Sequence, residues 1–268
     1  MLKSKLTLVI HTCDKFSDLW DSHVKLLEQN WSNRGVRSYL VTDRKTDKEY
    51  KNVTILPTGD DYQLSQRISA MLPYIDTEYV LVTLDDYFPI YPIDGKKIER
   101  LVNIMDREKL DYIRLFKRPD SKIPLGEHKG LYRIDLHGKK DQHYQVNLYP
   151  GIWRKSFIEK TANDKLNPWE YELSLTRIAR EHDLSCAMSK GKELEFLDVV
   201  RKGKLLHKAA GYLKKHDLYD GPRTVIPWSA EFKINIMTFI KDVTPQWFVD
   251  FLKKIMHKFG WTFFSDEN

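Results

Sequence analysis

Short apolar runs alternate with longer amphipathic stretches along the first half of the chain. Residues 6–10 are apolar and rich in branched side chains, which predicts a buried strand, and residues 17–31 have the apolar spacing of an amphipathic helix. Further runs predict strands at 38–42, 53–56, 79–84 and 112–116, and a helix at 62–72. Strands that alternate with helices are typical of a mostly parallel sheet with helices on both faces.

The second half of the chain has a less regular pattern. Residues 118–141 are polar with glycines and a proline, which indicates loops or short hairpins, and 146–153 could form a strand. A helix is predicted at 168–182, with Asn167 as N-cap and Pro168 at its first position. Another helix is predicted at 246–259. We therefore predict an α/β fold, with one Rossmann-type domain over 1–230 and a C-terminal amphipathic helical segment over 231–268.

Composition limits the class of protein. The 268 residues are 41% hydrophobic and 31% charged, which suits a globular chain with an ample core. Cys13 and Cys186 are too far apart in sequence to suggest a metal motif, so a reducing cytoplasm is expected. The N-terminal apolar run is too short for a signal peptide. The net charge of +6 favours acidic partners, but the basic residues are scattered and no nucleic-acid motif occurs, so nucleic acid is not expected.

Ligands of such open sheets bind at the carboxyl ends of the strands. Polar residues follow three of the predicted strands there, and we expect them to converge on one crevice: His11, Thr12, Asp43, Asp85 and Asp86. No glycine follows the first strand, and no phosphate-loop signature occurs in the chain. These absences disfavour an ordinary dehydrogenase and a phosphate-loop nucleoside triphosphatase.

The adjacent Asp85 and Asp86 end the most apolar strand and are followed by Tyr87 and Phe88. Two neighbouring carboxylates at a buried strand end are costly unless a cation joins them. Mg²⁺ or Mn²⁺ takes such hard oxygen ligands together with substrate phosphates. The alternative is an ordinary turn, in which aspartate is common.

Five segments together carry a family resemblance: 8–13, 39–43, 63–68, 79–88 and 167–172. They resemble GT-A fold glycosyltransferases of bacterial capsule and lipopolysaccharide biosynthesis. The resemblance implies a GT-A-like sheet and transfer of a sugar from a nucleoside-diphosphate sugar, with uridine the commoner base. It implies a saccharide or lipid-linked saccharide as acceptor in surface polysaccharide synthesis. Inversion is the favoured outcome, with retention left open.

In similar enzymes a D-x-D motif holds the metal against the donor diphosphate. Here Tyr87 stands where the third position would be acidic, and the resemblance favours Asp86 on the metal, with Asp85 on the metal or the ribose. It also implies that His11 and Thr12 line the base pocket. In the same way Asp43 would meet the base or ribose and Arg67 would reach the donor. Asp43 is equally compatible with a turn, and Arg67 with a surface charge.

An inverting transferase needs a carboxylate to take the proton of the acceptor hydroxyl. In GT-A enzymes this base commonly lies at a helix N-terminus in the second half of the domain, which implies Glu170 and, with less weight, Glu172. Trp169 beside them could stack on an acceptor sugar. The spacing of Asn167 and Glu170 equally predicts a capping box, which would give Glu170 a structural role.

Three further assignments have a structural alternative. Trp153, with Gln145 and Asn147, could contact the acceptor, although a tryptophan there is equally compatible with the core. His207 could supply a third metal ligand, although a lone histidine is more often structural. The basic, aromatic segment 246–264 could place the protein on the inner face of an anionic membrane, or pack against the domain or a second subunit in a homodimer.

Two alternative functions remain at this point. A sugar-phosphate nucleotidyltransferase would release pyrophosphate from a nucleoside triphosphate. A non-catalytic subunit that binds carbohydrate or membrane would turn over no nucleotide sugar at all.

Overall fold

The secondary structure comes from a computed structural model that describes residues 2–117, 120–137, 144–191 and 193–243. The strands are β1 (Leu6–His11), β2 (Ser38–Thr42), β3 (Thr54–Pro57), β4 (Tyr79–Leu84), β5 (Tyr87–Pro89), β6 (Tyr112–Arg114), β7 (Ile123–Pro124), β8 (Leu131–Arg133), β9 (Gly151–Arg154), β10 (Cys186–Ser189), β11 (Phe196–Asp198), β12 (Val200–Arg201) and β13 (Lys204–Leu205). The helices are α1 (Trp20–Asn30), α2 (Leu64–Ala70), α3 (Gly95–Glu108), α4 (Lys155–Thr161), α5 (Pro168–Glu181), α6 (His207–Lys215) and α7 (Trp228–Val243).

The centre of the fold is a nine-stranded sheet in the order β3-β2-β1-β4-β9-β6-β10-β8-β7. The four strands β3, β2, β1 and β4 run parallel, whereas β9 is antiparallel to both of its neighbours. On the far side β6 and β10 are again parallel, and the β7–β8 hairpin closes that edge. The predicted mostly parallel sheet is confirmed.

Helices cover both faces of this sheet, which explains why β1 and β4 are apolar along nearly their whole length. One face packs against α1 and α3, with Trp20 and Ile98 in its core. The other face packs against α2, α4 and α5, with Ile68, Phe157 and Leu175 in its core. The chain therefore has the layered α/β architecture that the alternation of strands and helices predicts.

A third apolar cluster attaches the C-terminal part of the described chain to α1. Phe88 of β5, Leu197 of β11 and Leu213 of α6 pack with Leu19 and Leu26. Strand β11 pairs antiparallel with β5, directly after the acidic pair. This long-range pairing brings residues 196–201 to the same edge of the sheet as Asp85 and Asp86.

Some elements differ from the sequence-based expectation. The helix α3, which was not predicted, has Asp94 as its N-cap and buries Leu101 and Met105. The strand expected at 146–153 is confined to Gly151–Arg154. The helix predicted at 246–259, and with it the membrane segment 246–264, lies outside the described residues. Across the described part of the chain, none of the helices is long and apolar enough to span a membrane.

Candidate functional site

The residues that follow β1, β2 and β4 meet at one edge of the sheet, as predicted. The Thr12 amide donates a hydrogen bond to the carbonyl of Val41 at 2.9 Å, and the Asp85 amide donates to the carbonyl of His11 at 3.1 Å. Parallel strands end at the same edge, so their last residues lie side by side. This edge of the sheet is therefore where the crevice for a ligand is expected.

Asp85 forms the buried floor of the crevice. Its carboxylate accepts a hydrogen bond from the Thr12 hydroxyl, which in turn accepts one from Trp20 Nε1 at 2.7 Å. The backbone carbonyl of Asp85 lies 3.1 Å from His23 Nδ1. Burial and the negative charge of Asp86 raise the pKa of Asp85 well above its usual range. This carboxylate is thus already engaged with the protein.

Asp86 is the more available member of the pair. Its Oδ1 atom is buried and has no hydrogen-bond partner among the described residues. Burial and the nearby charge of Asp198 raise the pKa of Asp86 to about 7. A buried carboxylate oxygen without a partner is costly, and a cation would relieve that cost.

Asp198 is a site residue that sequence reasoning missed. It lies opposite Tyr87 in the β5–β11 pairing, and the Val199 amide donates to the carbonyl of Asp86 at 2.9 Å. Its Oδ2 accepts a hydrogen bond from Arg201 at 2.6 Å, while its buried Oδ1 lacks a partner in the described part of the chain. Burial raises the pKa of Asp198, although Arg201 opposes the shift. In the sequence, the only signal for Asp198 was that an aspartate interrupts an apolar run.

Asp86 and Asp198 together offer carboxylate oxygens, the donor type that Mg²⁺ and Mn²⁺ prefer. Within residues 2–117, 120–137, 144–191 and 193–243, no three His, Cys, Asp or Glu side chains are grouped so that they could hold a metal. The predicted set of Asp85, Asp86 and His207 is therefore not assembled. His207 instead bonds to Glu231 through Nδ1. Two carboxylates still suit Mg²⁺ or Mn²⁺, because substrate phosphates and water usually complete the coordination of Mg²⁺.

His11 and Arg67 form a second polar group beside the acidic pair. The imidazole of His11 is 1% exposed, and neither ring nitrogen has a partner among the residues described. Burial and the positive charge of Arg67 lower the pKa of His11 to about 3, so the ring is neutral. Arg67 donates to the carbonyl of Tyr62 at 2.7 Å, and its buried Nε lacks a partner in the same residues. Arg67 thus points toward the crevice, with its Nε buried.

Asp43 has the features of a turn residue. Its Oδ1 accepts hydrogen bonds from the amide of Asp14 at 2.6 Å and from its neighbours Thr42 and Arg44, both at 3.1 Å. These bonds fix the loop after β2 at the rim of the crevice. A contact between Asp43 and a base or ribose stays a prediction.

Glu170 and Glu172 have different environments, although both lie in the first turns of α5. Glu170 closes the capping box, since its Oε2 accepts from the amide of Asn167 at 2.9 Å. Glu172 is half-buried, and its Oε1 accepts from the amide of Leu148 at 3.1 Å. Burial raises the pKa of Glu172, while Leu148 and the charge of Arg201 oppose the shift. The interaction with Arg201 connects Glu172, not Glu170, to the acidic pair.

The two tryptophans proposed for the acceptor have opposite surroundings. Trp153 is fully buried and packs edge-on against Tyr112 and Phe157, with ring centroids 5.5 and 5.3 Å away. Its indole offers no surface to an acceptor, so core packing accounts for this residue. Trp169 is 53% exposed at the start of α5 and can still meet a ligand.

A cluster of aromatic side chains, absent from the sequence-based assignment, borders Glu172 and Arg201. Tyr149 stacks on Phe116 with centroids 4.4 Å apart and meets Tyr87 edge-on at 5.8 Å. Phe116 is 39% exposed. We call Tyr87, Phe116 and Tyr149 the aromatic shelf. The nearby Gln145 and Asn147 are buried. The backbone carbonyl of Gln145 accepts a hydrogen bond from Arg114, and the side-chain amide of Asn147 donates one to the carbonyl of Tyr144.

Several solved structures are similar to this chain. The S. aureus protein TarS, as its 1–349 portion in complex with UDP-GlcNAc, matches with a TM-score of 0.51 and 17% identity over 75% of this chain and 60% of that one. The same portion in another crystal structure gives 0.48 and 15% identity over 71% and 59%. The bifunctional IspDF of Campylobacter jejuni gives 0.43 and 16% identity over 73% and 52%.

Identities this low establish the fold alone, and of these three structures it is the UDP-GlcNAc complex that is similar enough to support it. The GT-A-like fold expected from the resemblance is confirmed. The chain spans less than two thirds of the length of these neighbours. A scan of protein-family models finds no match. A search of curated proteins finds no relative either.

Proposed function

We propose that this chain is a metal-dependent glycosyltransferase that moves a sugar from a nucleoside-diphosphate sugar to a saccharide acceptor. One observation carries the proposal. In the part of the chain that the structure describes, Asp86 and Asp198 each have a buried carboxylate oxygen without a partner, at the edge of a GT-A-like sheet where ligands are expected. The TarS structure that shares this fold contains UDP-GlcNAc, which supports a uridine diphosphate sugar as the first donor to test.

Asp86 and Asp198 would hold Mg²⁺ or Mn²⁺, and the ion would neutralise charge on the departing diphosphate. Arg201 adds a fixed positive charge next to them through its 2.6 Å bond to Asp198. Asp85 would position these groups. Its carboxylate accepts a hydrogen bond from Thr12 and its amide donates one to the carbonyl of His11, and both bonds fix the end of β4. This division of roles keeps Asp86 on the metal and gives Asp85 a positioning role.

Glu172 is the residue we assign as general base. The residue is half-buried, and its carboxylate has a raised pKa and interacts with Arg201, as expected for a group that takes a proton near the donor. Glu170 is occupied by the capping box. Attack of an acceptor hydroxyl on the anomeric carbon, with its proton passing to Glu172, would proceed by a single displacement with inversion.

The aromatic shelf is the surface we assign to the acceptor. Tyr149 and Phe116 present stacked rings next to Glu172, and the charge of Glu172 contributes to the raised pKa of Tyr149. Aromatic faces suit the apolar face of a pyranose, while the carboxylate suits its hydroxyls. A saccharide acceptor accounts for both features.

The donor base would lie against His11 and Arg67. A neutral imidazole can donate from one nitrogen and accept at the other, and both nitrogens of His11 lack a partner in the described residues. Since the His11 ring is 1% exposed, a base would reach these nitrogens only after neighbouring side chains move. The UDP-GlcNAc in the TarS structure supports uridine as the first base to test.

Release of UDP from UDP-sugars tests the proposal directly. Wild-type protein should release UDP from one sugar nucleotide when Mn²⁺ is present and lose this activity in EDTA. Asp86→Ala should abolish it. Retained activity in Asp86→Ala with no effect of EDTA would refute the metal-dependent mechanism. Pyrophosphate release from a nucleoside triphosphate and a sugar phosphate would instead identify a nucleotidyltransferase.

A further inference from the structure

The first turns of α7 carry two large aromatic side chains in contact with solvent. Trp228 is 72% exposed and Phe232 is 64% exposed. They are four residues apart in a helix and so lie on the same face. Val225, which is 41% exposed, precedes them. Contiguous exposed apolar surface of this kind marks interaction sites. We call Trp228, Phe232 and the preceding Val225 together the α7 aromatic face.

The α7 aromatic face is held firmly by the domain. The Trp228 indole stacks on the His207 ring with centroids 3.5 Å apart, and Glu231 accepts a hydrogen bond from the His207 amide at 3.0 Å and bonds its Nδ1. The segment before the helix pairs with β13, since the Ile226 amide donates to the carbonyl of Leu205 at 2.9 Å. The Trp228 ring and the start of α7 are therefore fixed to the domain.

Exposed lysines adjoin, in sequence, the α7 aromatic face and the residues that support it. Lys204 adjoins Leu205, Lys208 adjoins His207 and Lys233 adjoins Phe232, and all three lysines are exposed. Residues 202–233 contain seven Lys and Arg against three Asp and Glu. One of the acidic residues, Glu231, faces His207. Exposed aromatic rings with a fringe of lysines are typical of surfaces that lie on anionic lipid.

A second copy of the chain fits this surface less well. In a twofold dimer the same patch faces itself, so the three lysines would approach their own counterparts. Like charges at an interface oppose association. A negatively charged lipid surface meets the same lysines with attraction instead.

We propose that the α7 aromatic face docks on an anionic lipid bilayer. Trp228 and Phe232 would enter the headgroup boundary while Lys204, Lys208 and Lys233 contact lipid phosphates. Glu231 bonds to the amide of His207, and the amide of the preceding Leu206 donates to the carbonyl of Val199 at 2.9 Å, so this face lies close to Asp198. Docking would thus present a lipid-linked acceptor to the site. That last role rests on the proposed function, whereas docking itself does not.

Vesicle flotation with the full chain tests the proposal. We expect binding to vesicles with about 30% phosphatidylglycerol, little binding to pure phosphatidylcholine, and weaker binding as salt rises from about 0.1 to 0.5 M. Phe232→Glu should lower the apparent affinity at least about tenfold, since it removes an inserting ring and adds a repelled charge. Lys208→Glu should act in the same direction.

Tyr74→Glu is the matched control. Tyr74 is 53% exposed but lies just before the amino end of β4, away from the crevice edge. The Tyr74→Glu variant should bind vesicles like the wild type, and thermal unfolding should show that all variants are folded. Wild-type protein that ignores anionic vesicles, or Phe232→Glu that binds them normally, overturns the proposal. The proposal is also overturned if Phe232→Glu dissociates a dimer in sedimentation but keeps the wild-type affinity for vesicles.

The same variants separate docking from catalysis. Phe232→Glu should release UDP from a UDP-sugar at the wild-type rate when no vesicles are present. If no sugar nucleotide is turned over but vesicle binding depends on Phe232, docking stands and the glycosyltransferase proposal fails.

Discussion

Asp86 and Asp198 come from distant parts of the chain, yet each has a buried Oδ1 without a partner among the described residues, and the charge of Asp198 adds to burial in raising the pKa of Asp86 to about 7. The β5–β11 pairing produces this relationship. Folding would favour separating the two carboxylates. Arg201 offsets part of this cost through its bond to Asp198, and we propose that a cation bound by both carboxylates offsets the rest.

Removing one of these charges should stabilise the metal-free protein. The raised pKa means that the ionised form of Asp86 is disfavoured in the folded state. The resulting loss in the free energy of unfolding is absent below about pH 4 and complete above about pH 7. We expect Asp86→Asn to increase the free energy of unfolding by about 1–3 kcal/mol at pH 8 with EDTA present. Urea unfolding at pH 4 and pH 8 measures this. If Asp86→Asn destabilised the protein equally at both pH values, this explanation of the raised pKa would be contradicted.

The two glutamates of α5 can be separated by matched amide substitutions. Gln preserves a capping box, so Glu170→Gln should retain both fold and activity. Glu172→Gln should lower kcat by roughly 10²–10⁴-fold, since a general base is lost. Steady-state transfer rates measure both. If Glu170→Gln inactivates the enzyme while Glu172→Gln does not, the assignment of the base is reversed.

The pH dependence of transfer should report Glu172. Its pKa is raised above the usual 4.5, so the carboxylate is protonated and inactive at low pH. We expect log(kcat/KM) to rise with unit slope and to level off above a midpoint higher than 4.5. A rate profile with saturating Mn²⁺ measures this midpoint. An acid limb that persists unchanged in Glu172→Gln would assign the midpoint to another group.

The aromatic shelf should determine acceptor affinity. Phe116→Ala removes the exposed ring that stacks on Tyr149. We expect the acceptor KM to increase roughly tenfold, about 1.4 kcal/mol, with the donor KM changed less than twofold. Tyr74→Ala is the control, because Tyr74 is similarly exposed elsewhere. An unchanged acceptor KM with a weakened donor would place the shelf in the donor site instead.

Much of the fold could be predicted from local pattern. The apolar run Tyr79–Leu84 predicts β4, and Asn167 with Pro168 predicts the start of α5. Helix α3 carried the same kind of signal, with Asp94 as N-cap and apolar residues at helical spacing, and could have been predicted. Local periodicity and capping are visible in sequence because neighbouring residues produce them.

The site was less accessible from the sequence. Asp198 belongs to it only through the antiparallel pairing of β11 with β5, a long-range contact that no local pattern encodes. The different environments of Glu170 and Glu172 depend on which side of α5 faces the loop before β9, where the Leu148 amide bonds to Glu172. Trp153 has the aromatic character of an acceptor residue, yet the packing of Tyr112 and Phe157 buries it.

The most direct test of the central claim is whether Mn²⁺-dependent binding of UDP-GlcNAc requires both Asp86 and Asp198. Thermal shift measures it, because a ligand that binds the folded state raises Tm. We predict that UDP-GlcNAc with Mn²⁺ raises the Tm of the wild type, and that Asp86→Asn and Asp198→Asn each abolish the Mn²⁺-dependent part of the shift. An undiminished Mn²⁺-dependent shift in Asp198→Asn would contradict the account.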